Sequence, residues 1–302
     1  MPLRAAFHVA VVVVLVLFAG ATGASARPEL DECVPADLRG DAITFRTEDD
    51  LELTGLVLGS GSSGVLLVPG LTEGVCDWLP LARQLEDGGY RVLVYQGRPE
   101  LVGLDQSFRF DRDVVAAARE LERRGATSIV AGGAGTGATA LAVAAHDLPR
   151  VAALFLLSPF ERTTLGGHVL DAAAALTELD RPVFIAAAEG DPAGAGREWT
   201  AAQDARLLAR AAALGTLEIV PGDVQAAALA GAAGPVREKL VRYVEETLPP
   251  PGFPLWLPVG AVALALLVVP AVMLHRGRRA VRRIPDPGGA RIVVLEPRDG
   301  DR

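Results

Sequence analysis

The sequence predicts an α/β domain with a mostly parallel sheet and helices on both of its faces. Two observations lead to this fold class. Short apolar runs alternate with longer amphipathic runs between residues 64 and 248. The apolar runs, such as 65–68 and 151–157, lack polar alternation, which is typical of strands buried on both faces. Alternation of strands and helices indicates parallel strands joined by crossover helices.

The pattern predicts an opening hairpin, then six further strands and six helices. The hairpin strands are predicted at residues 42–47 and 51–58, around the turn Glu48-Asp49-Asp50. The further strands are predicted at 64–69, 90–95, 127–131, 151–157, 182–188 and 215–220. The helices are predicted at 78–86, 108–124, 136–145, 169–176, 198–213 and 236–248.

Apolar segments at both ends predict export and a membrane anchor. Residues 1–26 combine Arg4, an uncharged run and Ala24-Ser25-Ala26, which indicates a cleaved signal peptide; an uncleaved N-terminal anchor is the alternative. Residues 253–275 are predicted to form one transmembrane helix, because a run of 20 residues without charge would span about 30 Å. Arginines crowd the segment 276–302, which places this tail in the cytoplasm and the domain 27–252 outside.

Charge and cysteine content narrow the function classes further. The whole chain has a formal net charge of −8, and the acids are concentrated in residues 27–252. An acidic outer domain disfavours nucleic acid and anionic lipid as partners of that domain, whereas the basic tail suits anionic lipid headgroups. The chain has two cysteines, Cys33 and Cys76, both in the exported region. An even count in an oxidising compartment predicts that they form a disulfide.

Residues 127–145 contain a glycine-rich turn between a predicted strand and a predicted helix. The segment Gly133-Ala134-Gly135-Thr136-Gly137 resembles the nucleophile elbow G-x-S-x-G of α/β-hydrolases. Gly135 stands at the serine position, and glycine has no side chain that could attack a carbonyl carbon. The spacing from Gly133 to Ala138 also fits a loose dinucleotide-binding fingerprint, but that motif belongs on the first strand–helix unit. A turn kept only for packing is the other alternative.

The resemblance covers about residues 40–248 and implies positions for the rest of a catalytic triad. Asp191, on the loop after a predicted strand, matches the triad acid. Gln225, after the last predicted strand, matches the histidine that serves as general base. No histidine lies between His168 and His275, so a small shift of the alignment does not supply a base.

The same resemblance implies two oxyanion-hole donors, the backbone N–H groups of Leu71 and Thr136. Pro69 stands where the family loop after this strand usually carries a histidine. His146 is interpreted as a structural residue at a helix end. His168 is interpreted as a solvated residue in a cap-like insertion between two strands.

The sequence therefore predicts a membrane-anchored extracytoplasmic α/β-hydrolase-fold protein without serine-hydrolase chemistry. It would act by binding a small ligand or an envelope protein. One alternative is an active hydrolase with an unusual nucleophile, for which Thr136 and Ser158 are the nearest hydroxyls. Another is a structural envelope protein, which differs by lacking a pocket over Gly135. No cofactor and no metal are expected, because the sequence has no HExxH, cysteine cluster or phosphate-binding GxxxxGK motif.

Overall fold

An eight-stranded sheet organises the part of the chain that the computed structural model describes, residues 30–98, 108–192 and 199–248. Its strands lie in the order β1-β2-β4-β3-β5-β6-β9-β10, and β7 and β8 form a separate hairpin. The strands are β1 Ala42–Arg46, β2 Glu52–Leu58, β3 Ser63–Val68, β4 Arg91–Tyr95, β5 Ser128–Ala134, β6 Val151–Leu157, β7 Arg162–Leu165, β8 His168–Asp171, β9 Pro182–Ala188 and β10 Leu214–Val220.

The sheet is mostly parallel, as predicted. Strand β1 pairs antiparallel with β2, and β2 antiparallel with β4, whereas every other neighbouring pair in this sheet is parallel. At the centre, Leu66 of β3 lies between Leu93 of β4 and Ala131 of β5. All six residues of β3 are buried, because helices cover both faces of the sheet at this point.

The helices divide between the two faces of the sheet. They are α1 Val75–Asp87, α2 Phe110–Arg123, α3 Gly135–Ala144, α4 Ala172–Thr177, α5 Ala201–Ala211 and α6 Arg237–Thr247. Apolar residues of α2, α3, α4 and α5 belong to one buried cluster, and those of α1 and α6 belong to a second. The prediction of helices on both faces is therefore confirmed.

One predicted helix is wrong in its first half. Residues 169–176 were expected to be helical, but Val169 and Leu170 belong to β8, and α4 begins at Ala172. The reason is the turn Gly166-Gly167, whose φ values are +52° and +79°. Two glycines with positive φ form the tight turn that joins antiparallel strands, so β7 and β8 pair as a hairpin.

The predicted disulfide between Cys33 and Cys76 is confirmed. Their Cα atoms lie 6.0 Å apart, and the bond joins the segment before β1 to the first turn of α1. The Asp31 carboxylate lies 3.7 Å from the Cys76 sulfur. Because both sulfurs are in the disulfide, this acid does not form a metal-binding group with them.

A buried ion cluster fixes the β1–β2 hairpin to α2. The Arg98 guanidinium donates hydrogen bonds to Asp113 at 2.7 Å and to Asp49 at 2.8 Å. Burial raises the pKa of Asp113 to about 6 even though Arg98 favours its charged form. Burial also favours neutral Asp49, but its hydrogen bonds with Arg98 and Thr47 lower its pKa to about 2.

The predicted signal peptide, residues 1–26, lies outside the described residues. So do the predicted transmembrane helix, 253–275, and the predicted cytoplasmic tail, 276–302. Within the described ranges, no helix has the length and apolar character needed to cross a membrane.

Candidate functional site

The candidate site lies where β5 turns into α3. Strand β5 extends to Ala134, three residues beyond its predicted end, so Gly132 and Gly133 belong to the strand and not to the turn. The chain reverses at the next residue, Gly135, which has φ +52°. This elbow lies at the carboxyl edge of the parallel strands, where α/β sheets place their ligand sites.

Three of the four elbow glycines are required by crowding. A Cβ atom on Gly132 would overlap the Phe155 ring, and one on Gly137 would overlap the Pro69 carbonyl group. On Gly133, a Cβ atom would lie 2.7 Å from the Cα atom of Ala138. These contacts bring β3, β6 and α3 close to β5, so these glycines have a packing role.

Gly135 differs from these three glycines. Its nearest neighbour, from a Cβ atom built on its backbone, is the Cβ atom of Ala226 at 3.9 Å, an ordinary contact distance. Gly135 is also partly exposed, although Ala134 before it and Thr136 after it are buried. A side chain at position 135 would therefore have room and would reach solvent. Packing therefore does not require a glycine at position 135. The local requirement is a backbone conformation with positive φ, which glycine adopts more readily than other residues.

A turn of 3₁₀ helix, Ala226–Ala230, lies against the elbow and is here called the alanine turn. Its first N–H group, from Ala226, donates a 3.0 Å hydrogen bond to the Ser158 hydroxyl oxygen. Both residues have positive φ, +45° for Ser158 and +46° for Ala226. Positive φ is uncommon outside glycine, so two such residues joined by a hydrogen bond mark a strained contact beside the elbow.

Glu73 holds the same turn from the other side. Its carboxylate accepts hydrogen bonds from the N–H of Gly70 and from the N–H of Ala227, each at 2.8 Å. Burial raises the pKa of the Glu73 carboxyl, although both hydrogen bonds favour the carboxylate. Glu73 thus links the loop after β3 to the alanine turn after β10. Sequence reasoning missed this residue.

Asp191, the predicted triad acid, is placed at the end of β9 with 3% of its surface exposed. Its loop is tied to the loop after β10, because the Gly190 N–H donates to the Gly222 carbonyl at 2.8 Å. Gln225, the predicted base position, is exposed and directly precedes the alanine turn. The structure therefore brings the loops of Asp191 and Gln225 together, while the side chain in contact distance of position 135 belongs to Ala226.

The two predicted oxyanion donors lie on different elements, one after β3 and one at the start of α3. Leu71 lies in the turn that follows β3, closed by the Glu73 N–H on the Gly70 carbonyl at 3.4 Å, and is 49% exposed. Thr136 lies in the first turn of α3 and is 6% exposed. Ser158, the other candidate hydroxyl, is 4% exposed.

Neither described histidine hydrogen-bonds a residue of the elbow or the alanine turn. His146 contacts the Ala175 carbonyl oxygen at 3.0 Å, next to the end of α3. His168, on β8, has its Nε2 atom 3.4 Å from the Asp111 carboxylate. His168 is partly buried against this acid, so the interpretation of a solvated loop residue is wrong.

Comparison with known structures identifies the architecture around this elbow. A thermophilic esterase from Thermogutta terrifontis, in a malate-bound structure, superposes with a TM-score of 0.56 at 15% identity. The match covers 68% of this chain and 98% of that chain. The chain has the α/β-hydrolase fold. An esterase domain from Rhodothermus marinus gives a TM-score of 0.52 at 18% identity, covering 68% of this chain and 97% of that one.

A third α/β-hydrolase-fold structure gives the same result. An esterase from Pyrococcus furiosus superposes with a TM-score of 0.54 at 15% identity, covering 68% of this chain and 89% of that chain. No protein-family model matches the sequence, and no curated protein matches it. At these identities the likeness establishes the α/β-hydrolase fold, and the chemistry has to be argued from the residues at the elbow.

Proposed function

We propose that this chain is a membrane-anchored extracytoplasmic α/β-hydrolase-fold protein that does not hydrolyse esters and acts by binding. The observation that carries the proposal is the elbow tip. Gly135 occupies the position of a nucleophile, is partly exposed, and has a contact-distance neighbour only in the Ala226 methyl group among the described residues. The space for a nucleophile remains, but the nucleophile is missing.

The alanine turn supports the same proposal, because it occupies the place where a general base would approach position 135. In a serine-hydrolase triad the general base is a histidine, whose imidazole must lie within hydrogen-bond reach of the nucleophile. Here the loop after β10 brings a methyl group to position 135, and its backbone is fixed by Ser158 and Glu73. An open elbow without nucleophile and base is suited to holding a ligand or a partner segment.

Reconstruction of the triad tests the proposal. The wild-type full chain should take up no fluorophosphonate label, whereas Gly135→Ser with Gln225→His should become labelled. The matched control is Gly167→Ser with Gln225→His, because Gly167 also has positive φ, +79°, and open space around it. Labelling of the control would mean that any exposed serine reacts. A folded but unlabelled variant carrying both Gly135→Ser and Gln225→His would contradict the assignment of positions 135 and 225.

A second candidate function is hydrolysis with Ser158 as the nucleophile. It is favoured by the positive φ of Ser158, since strained residues cluster at functional sites. Against it, Ser158 as a whole residue is 4% exposed, and its hydroxyl oxygen already accepts the Ala226 hydrogen bond. Robust esterase activity of the wild type that disappears in Ser158→Ala, or in Thr136→Ala, would establish an active hydrolase and overturn our proposal.

Binding can be tested separately from chemistry. A panel of short-chain esters and carboxylic acids, screened by thermal shift, should contain compounds that stabilise the wild type. Gly135→Leu, which fills the space at the elbow tip, should abolish these shifts relative to its own melting temperature. Stabilisation that persists unchanged in Gly135→Leu would place binding elsewhere.

The proposed location rests on the sequence. Residues 27–252 would lie outside the membrane, 253–275 would span it, and 276–302 would lie in the cytoplasm. Protease added to cells stripped of their wall should remove the domain and spare a C-terminal tag. Loss of the tag with survival of the domain would reverse the orientation.

A further inference from the structure

Strand β10 forms one edge of the sheet, and two of its apolar side chains are exposed. Among the described residues it pairs only with β9. Leu214 is 51% exposed and Leu217 is 37% exposed, although both side chains are apolar. An edge strand presents unpaired backbone N–H and C=O groups, which makes it a template for pairing with another strand.

The opposite edge of the sheet is protected in a way that β10 is not. Strand β1 exposes Thr44 and Arg46, and Arg46 forms ion pairs with Asp50 at 2.8 Å and with Glu52 at 3.7 Å. Charged and polar side chains on an edge strand discourage pairing. The acid of β10, Glu218, is instead engaged by Lys239 of α6 at 2.7 Å. The two edges thus differ in the features that prevent strand addition.

We propose that β10 pairs antiparallel with β10 of a second copy of this chain, so that one sheet continues across both molecules. A two-fold axis through Leu217 is the arrangement that pairs all seven residues of Leu214–Val220. In this register Leu217 faces Leu217 of the second copy, Leu214 faces Val220, and Thr216 faces Glu218. Glu218, the charged residue of this strand, faces Thr216, so no like charges lie opposite each other, and apolar residues face apolar residues at 214, 217 and 220.

The faces of the sheet support the same register. Ile219 packs on the cluster that contains α5, so Leu217, two residues earlier, projects from the same face. Helix α5 carries another exposed apolar side chain on this side, Leu207, which is 40% exposed. Pairing at β10 would bring both copies of Leu217 together and both α5 helices close to them, so that exposed apolar surface from each copy becomes buried.

Cysteine cross-linking of the full chain tests the register. The two native cysteines are in the disulfide, so a new cysteine adds the free thiol. Leu217→Cys should form a disulfide-linked dimer on mild oxidation, because directly opposed residues have Cα atoms about 4.5–5.5 Å apart. Leu214→Cys is the matched control on the same strand. In the proposed register it lies about 20 Å from its own copy and should not cross-link.

Several outcomes would overturn the proposal. It fails if Leu217→Cys cross-links no better than Thr44→Cys on the opposite edge, or if Leu214→Cys and Leu217→Cys cross-link equally. A second measurement uses two copies with different tags, expressed together. Leu217→Lys in both copies should reduce co-purification at least tenfold, and pairing Leu217→Lys with Leu217→Glu should restore it. Unchanged co-purification with Leu217→Lys in both copies would exclude this edge as the interface.

Discussion

Alanine substitution should distinguish Gly135, where the added methyl group has room, from the elbow glycines whose surroundings leave no room for a methyl group. At Gly135 the expected loss of unfolding free energy is small. No heavy atom lies closer than 3.9 Å to the added methyl group, so the cost is that of the backbone at φ +52°. A positive-φ conformation costs a non-glycine residue about 1–2 kcal/mol. The stiffer unfolded chain of the alanine variant returns about 0.4–1 kcal/mol, leaving a net loss of about 1 kcal/mol.

Gly137→Ala should be much more destabilising. Its methyl group would overlap the carbonyl group of Pro69 and would lie 3.0 Å from the Val68 side chain. Backbone atoms on β3 cannot move without disturbing the centre of the sheet. We therefore expect a loss of at least about 3 kcal/mol, the upper end of the usual cost of overpacking.

Urea unfolding of the full chain in detergent, followed by tryptophan fluorescence, would measure both losses. Trp78 is fully buried and contacts Phe155 of the sheet, so its emission reports this domain. Gly167→Ala is the control for conformational cost, because its φ is +79° and no atom lies within 4 Å of the added methyl group. A loss at Gly135 equal to that at Gly137, and well above that at Gly167, would refute the open elbow tip.

Three further predictions concern the surroundings of the site. Glu73→Gln should lower the unfolding free energy by about 1–3 kcal/mol, because the two N–H groups donate to different carboxylate oxygens and the amide NH2 that replaces one oxygen cannot accept; Glu178→Gln, on an exposed residue, is the control in the same urea assay. Replacing both Cys33 and Cys76 by serine should lower the unfolding free energy by up to about 4 kcal/mol, because the disulfide joins residues 43 positions apart. A double-serine variant as stable as the wild type measured without reductant would contradict this prediction. The folded pKa of Asp113 is raised to about 6, so its stabilising protonation is complete below its unfolded pKa of about 4 and is lost as pH rises through about 6. Asp113→Asn should flatten that part of the pH–stability curve, and an unchanged slope between about pH 4 and 6 would refute the assignment.

The structural features that could be predicted are those that depend on short, continuous stretches of sequence. The strands show as apolar runs because each is buried on both faces, and the elbow shows as a spacing of glycines within five residues. The hairpin of β7 and β8 was missed, although Gly166-Gly167 was a signal for it. Residues 169–176 were assigned to one helix because the alanines that follow Asp171 dominate the pattern.

The role of Glu73 could not be predicted in this way. Its carboxylate contacts Ala227, 154 residues further along the chain, and nothing in the local sequence of either residue indicates the other. The same holds for Ser158 and Ala226, two positive-φ residues joined by a hydrogen bond between the loops that follow β6 and β10. Hydrogen bonds between distant loops depend on how the folded sheet positions those loops, and the local sequence pattern does not indicate these positions.

These long-range contacts change the meaning of the missing histidine. Considered by itself, Gln225 suggests that an unconstrained loop has lost its histidine and that the single substitution Gln225→His would restore the base. The structure fixes the two residues that follow, Ala226 through Ser158 and Ala227 through Glu73, so the direction of side chain 225 is determined by a pinned backbone. A histidine placed there can approach Gly135 only along the path that the Ala226 methyl group leaves open. Labelling of the reconstructed protein therefore tests whether this pinned loop can bring a base to position 135, as the assignment of positions 135 and 225 requires.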